Sequence, residues 1–118
     1  MITDPAEAAD AALEAVERGD TDLLLDLMLA APMLARDPFL TPYLSGSVAL
    51  LRGEPDTAAR FMTLAAGHTS SAGDTDTATA AVGRLRRLAR KRPDLTDSVD
   101  RLAALLLPAD DRTVDHTQ

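Results

Sequence analysis

Arg18-Gly19-Asp20-Thr21-Asp22 returns 34 residues later as Arg52-Gly53-Glu54-Pro55-Asp56. Each copy sets a helix-stopping glycine before an acidic residue that can open the next helix, so the motif reads as the corner of a helical hairpin. The same offset pairs Ala12 with Gly46, Ala15 with Ala49, Met28 with Met62 and Ala31 with Ala65. Small and large apolar positions thus recur in step with the corner. A period of about 34 residues is that of a stacked helical-hairpin unit.

Working outward, Asp4-Pro5 reads as an N-cap followed by proline at the first helical position, and Ala8, Ala12, Leu13, Ala15 and Val16 carry a helix to Arg18. After Gly19, Asp20 or Thr21 recaps the chain. Leu23, Leu24, Leu27, Met28 and Ala31 then form an inward stripe that Pro32 ends. Asp37-Pro38 repeats the opening signal for a third helix to Arg52, and a fourth begins at Glu54 to Asp56, with Ala58, Phe61, Met62 and Ala65 inward, fading by Gly67. The stretch from His68 to Gly73 reads as a loop, and Gly73-Asp74-Thr75-Asp76 repeats the cap of Gly19 to Asp22. A fifth helix follows with Ala78, Ala81, Val82, Leu85 and Leu88 apolar. After Pro93, Asp94 or Thr96 caps a sixth, carried by Val99, Leu102, Ala103, Leu105 and Leu106 to Pro108. The hairpins are expected at about 5–31, 38–67 and 74–107 within one domain spanning 1–108, with a polar, aperiodic tail over 109–118.

Composition agrees with an all-α domain. Ala and Leu dominate, aromatics make up 3% of the 118 residues, and no β-branched alternation marks a strand. The absence of cysteine excludes disulfides, thiolate metal sites and a cysteine nucleophile. Neither a signal sequence nor an apolar run long enough for a membrane span is present, which predicts a cytoplasmic protein with no membrane partner. Eleven of the twelve basic residues are Arg, a bias shared with proteins of high-GC bacterial genomes. A net charge of -7 argues against nucleic acid as partner.

The second hairpin resembles a tetratricopeptide repeat. With Gly53 at the turn glycine of that family, Gly46, Ala58 and Ala65 fall on its three small-residue positions, where the two helices approach closely. Pro42 and Ala49 stand where the family prefers large aromatics, and the third hairpin matches in outline only. The chain is thus similar to a divergent tetratricopeptide-like array from Pro5 to Leu107. The resemblance implies a right-handed stack of about three antiparallel hairpins, an α-solenoid. A closed helical bundle is the alternative that short loops equally allow. The resemblance further implies a non-catalytic, protein-binding adaptor whose first helices line a concave groove. Leu40, Tyr43, Ser47, Leu50 and Leu51 from the third helix and Thr77, Ala81 and Arg84 from the fifth would line it, with Tyr43 as amphipathic anchor.

Arg84, Arg86, Arg87, Arg90, Lys91 and Arg92 hold half of the basic residues. Arg84, Arg87 and Lys91 share one helix side and Arg86 and Arg90 another. Such a face either pairs with acidic neighbours in the chain or receives acidic groups of a partner, since the Arg fork matches a carboxylate. Catalytic signals are sparse, and no cofactor is expected. His68 and His116 have no metal-ligand spacing, Ser45-Gly46-Ser47 lacks the strand a nucleophile turn needs, and the Asp pairs lack a calcium loop. Met28 and Met62, at equivalent repeat positions, read as core. The unusually apolar last helix, with Val99, Leu102, Leu105, Leu106 and Leu107, suggests a second reading, a self-associating subunit of a larger bacterial complex.

Overall fold

Two copies of one corner organise the first four helices. The structure, a computed structural model, describes residues 5–30, 37–72 and 75–107, and all its regular elements are helices. They are α1 (Pro5–Arg18), α2 (Thr21–Ala30), α3 (Leu40–Leu51), α4 (Pro55–Ala72), α5 (Thr75–Lys91) and α6 (Thr96–Leu106), with a single 3-10 turn at Pro93–Leu95. Gly19 and Gly53 both take the left-handed conformation, at φ of 71° and 80°. The Gly19 N–H donates to the Val16 carbonyl and the Asp20 N–H to the Ala15 carbonyl, each at 3.0 Å. At the second corner Gly53 donates to Leu50 at 3.1 Å and Glu54 to Ala49 at 2.9 Å. These are corresponding bonds of one Schellman closure, in which left-handed glycine lets two orphan carbonyls be satisfied.

The helix starts follow from side-chain chemistry as well. The Asp20 carboxylate accepts the Leu23 N–H at 3.0 Å, so Asp20 rather than Thr21 is the cap. Asp37 accepts the N–H groups of Phe39 and Leu40 at 2.9 and 3.0 Å, with Pro38 behind it where no donor is needed. The expected caps Asp4 and Gly73-Asp74, the stop at Pro32, and the tail with His116 lie outside the described residues.

Two expectations are corrected at this level. Helix α4 runs on to Ala72, so the stretch expected as a loop, including His68, is helical. A mid-helix glycine such as Gly67 costs only about 1 kcal/mol, too little to end a helix without proline. Neither Asp94 nor Thr96 caps α6 through its side chain. The Asp94 carboxylate instead takes a two-pronged bond from the Arg92 guanidinium, at 3.1 and 2.9 Å.

Helix α3 lies at the centre, with nine of its twelve residues buried. A helix apolar on nearly every side must be covered on every side. Helix α4 comes closest. A Cβ added to Gly46 would lie 3.1 Å from the Phe61 Cβ and 3.2 Å from the Ala58 carbonyl oxygen. Gly46, Ala58 and Ala65 are all buried, so the small residues read from the sequence sit at tight helix packing. Helix α6 packs on α4 and α5, burying Val99, Leu102 and Leu106, with Leu105 and Leu107 partly covered. The apolar face that suggested self-association through the last helix is therefore used inside the chain.

The first and third hairpins also touch, because α1 packs against α5 as well as against α2 and α3. In a solenoid each repeat contacts its neighbours alone. Here the first helices of the three hairpins gather around one core, and the radius of gyration of 13.9 Å is that of a compact chain.

The two corners predict different costs for one substitution. Gly53→Ala meets open space and should cost only the left-handed strain, about 1 kcal/mol. Gly19→Ala adds a contact at 3.1 Å to the Leu88 Cδ1 and should cost more, measured as urea unfolding of the two variants beside wild type.

Candidate interaction surfaces

Tyr43, expected to anchor an exposed groove, is fully buried. Its hydroxyl donates to the Ala81 carbonyl of α5 at 2.9 Å. A carbonyl has two lone pairs, so one inside a helix can take a hydroxyl proton besides its helical N–H. Ser47, one turn on and also fully buried, donates to the Tyr43 carbonyl at 2.9 Å. The Phe39 ring stacks on the Tyr43 ring with centroids 5.5 Å apart. Burial holds the phenol well above its ordinary pKa, with the nearby Arg84 charge pulling weakly the other way.

The remaining groove residues follow the same pattern. Leu40, Leu50 and Ala81 are buried, while Leu51, Thr77 and Arg84 are partly buried. The structure does bring α3 and α5 together, with Tyr43 bonded to Ala81, but in the interior. The groove set is corrected accordingly: because α1 and α5 both close over α3, its face packs against protein rather than lining a free surface.

The basic face divides in two. Arg84 and Arg87 of α5 both donate to Glu17 Oε1 of α1, each at 3.1 Å. Arg86 pairs with Asp100 of α6 at 3.0 Å. Arg90 and Lys91 are exposed and make no ion pair among the described residues. The hydrogen bond from Arg87 and the Arg84 charge hold the Glu17 carboxyl below its usual range, against the opposing effect of its partial burial. Arg84 and Arg87 of the cluster thus join the first and third hairpins, at a partner 67 residues from Arg84 that the 34-residue rhythm gave no means of finding.

Outward-facing apolar groups lie elsewhere. Leu29 of α2 is 82% exposed and Leu64 of α4 59%, the largest exposures of bulky aliphatic side chains among the described residues. Leu23, read as part of the inward stripe, stands at its edge and is exposed. Leu29 was legible as a remainder, a leucine of α2 with no place on that stripe. Between α4 and α6 an open cleft of about 370 Å³ is lined by Asp56, Ala59, Arg60, Thr63, Arg101 and Leu105. Arg101 reaches the Asp56 carboxylate there at 3.0 Å. Among the described residues no cluster of three or more His, Asp or Glu side chains is placed to hold a metal, and no helix is long and apolar enough to cross a membrane. No protein family, curated protein or solved structure matches the chain.

Two measurements test this placement. Tyr43→Phe should cost about 1 kcal/mol through the lost bond, and Tyr43→Ala about 3–5 kcal/mol through the cavity, both read by denaturant unfolding. Glu17 has a depressed folded pKa, so its contribution is present above the unfolded value of 4.5 and is lost as pH falls through the lower folded value. Unfolding followed from about pH 7 to about pH 3 should show a shallower acid loss for Glu17→Gln than for wild type.

Proposed function

We propose that this chain is a non-catalytic protein-interaction module of the cytoplasm, a divergent tetratricopeptide-like array that binds another protein through the outer surface of its helices. The observation that carries this reading is the pair of exposed leucines, Leu29 and Leu64, on helices whose opposite sides supply core. A single exposed leucine is ordinary on any surface. Here the chain has 3% aromatics, most of the other described leucines are buried, and these two are the most exposed of them. The repeated Schellman corner and the buried Gly46, Ala58 and Ala65 set support the tetratricopeptide-like kinship of the first two hairpins. The exposed Arg90 and Lys91 offer a second, cationic contact for acidic groups of the partner.

The test is capture from native lysate by the tagged chain, read by quantitative mass spectrometry, with a Leu29→Ser, Leu64→Ser double variant alongside. Exposed substitutions of this kind shift stability by no more than about 0.5 kcal/mol, so folding is preserved. One or a few proteins enriched by wild type and depleted severalfold with the variant are expected. No enrichment over an unrelated acidic helical protein would overturn the module reading.

A further inference from the structure

The two exposed leucines stand in frames of opposite charge. On α2, Leu25 and Asp26 lie three and four residues after Asp22 and four and three before Leu29, which gathers the four on one helix side. Asp22 and Asp26 are exposed and make no ion pair among the described residues, whereas Glu14 and Glu17 of the same hairpin are neutralised by Arg18 and by Arg84 with Arg87. Residues 5–30 carry seven carboxylates and one arginine. On α4, Leu64 is four residues from Arg60 and four from His68, both exposed. Arg60 also lines the cleft between α4 and α6, together with Arg101 and the apolar Ala59 and Leu105. One chain thus carries a leucine ridge framed by two carboxylates and, on α4, an exposed leucine beside a cleft in which Arg101 is held by Asp56 while Arg60 makes no ion pair among the described residues.

We infer that α2 of one copy docks on the α4–α6 cleft of the next, with Leu29 and Leu25 meeting Leu64, Ala59 and Leu105, and with Asp22 and Asp26 facing Arg60. The charge pattern selects α2 against the cleft over α2 against α2. Two α2 faces brought together would set carboxylate against carboxylate, whereas α2 against the cleft joins opposite charges. Made once between two copies the contact is heterologous and leaves one ridge and one cleft free on the pair, so chains or rings of copies follow. One face of a ten-residue helix is small beside the roughly 800 Å² per partner of a stable interface. Association is therefore weak, with a dissociation constant on the order of tens to hundreds of micromolar. This goes beyond binding of a foreign partner and is measured on the purified chain alone, so its failure leaves the lysate experiment standing.

Sedimentation of the purified full chain over a range of concentrations is the test, with circular dichroism confirming that each variant is folded. Wild type should show mass rising with concentration. Asp22→Arg with Asp26→Arg should weaken self-association at least about tenfold, as should Arg60→Glu with Leu64→Ser, each through mismatched contacts. The milder Asp22→Asn with Asp26→Asn should weaken it less and serves in place of the reversal if that variant does not fold. Mixing the acidic-face reversal with Arg60→Glu alone should restore mass, because each supplies the face that the other lacks. Wild type that stays monomeric at about millimolar concentration, variants that associate as wild type does, or a mixture that stays monomeric would each overturn the proposal.

Discussion

The hydroxyl of Tyr43 reaches the Ala81 carbonyl inside the molecule, 38 residues along the chain, and the arrangement of the other helices depends on that contact being sheltered. A buried phenol without a partner would lose the desolvation cost of its hydroxyl, roughly 1–3 kcal/mol. Helix α5 supplies the acceptor and α1 helps to close the space over it. With Ser47 bonded to the Tyr43 carbonyl and Phe39 stacked on its ring, α3 carries a compact polar centre within an otherwise aliphatic core. The rest of α3 is too apolar to face water, so the three hairpins are organised by what this helix needs covered.

Electrostatics adds a second tie between distant parts of the sequence. The first hairpin is strongly acidic and α5 strongly basic, and at their contact one carboxylate oxygen of Glu17 serves two guanidinium groups. Exposed ion pairs contribute little to stability, but this oxygen is partly shielded and its two donors come from adjacent turns of one helix. Their role is as much orientation as energy. They fix how α1 is rotated against α5, and so which side of the first hairpin remains outward.

The local half of this fold was legible in the sequence, and the reason is chemical. Glycine at a left-handed corner, Asp before a helix and Pro at its first position each act within a few residues, so Gly19, Gly53, Asp37 and Pro38 announced the corners and starts. Periodicity likewise identified Leu24, Leu27, Ala58, Met62, Leu85 and Leu88 as core. What periodicity lacks is any measure of how hairpins meet. Leu40, Tyr43 and Ser47 present the same pattern whether α3 faces an open groove or a covering helix, and only the α1–α5 contact separates the two. The Arg84 to Arg92 cluster shows the same gap, since Arg84 and Arg87 find their carboxylate in Glu17 of the first hairpin.

Because α1 rests on α5, the first and third hairpins close on one another. A sequence with a 34-residue rhythm could in principle be lengthened by copying one beat, and an open stack would accept the addition at its end. In this chain a further hairpin inserted after α4 would have to part α1 from α5, release both arginines from Glu17 and leave the Tyr43 hydroxyl without its acceptor. The rhythm is thus indifferent to count, and closure imposes one. Duplications that enlarge repeat proteins by small steps would here have to replace the centre all at once.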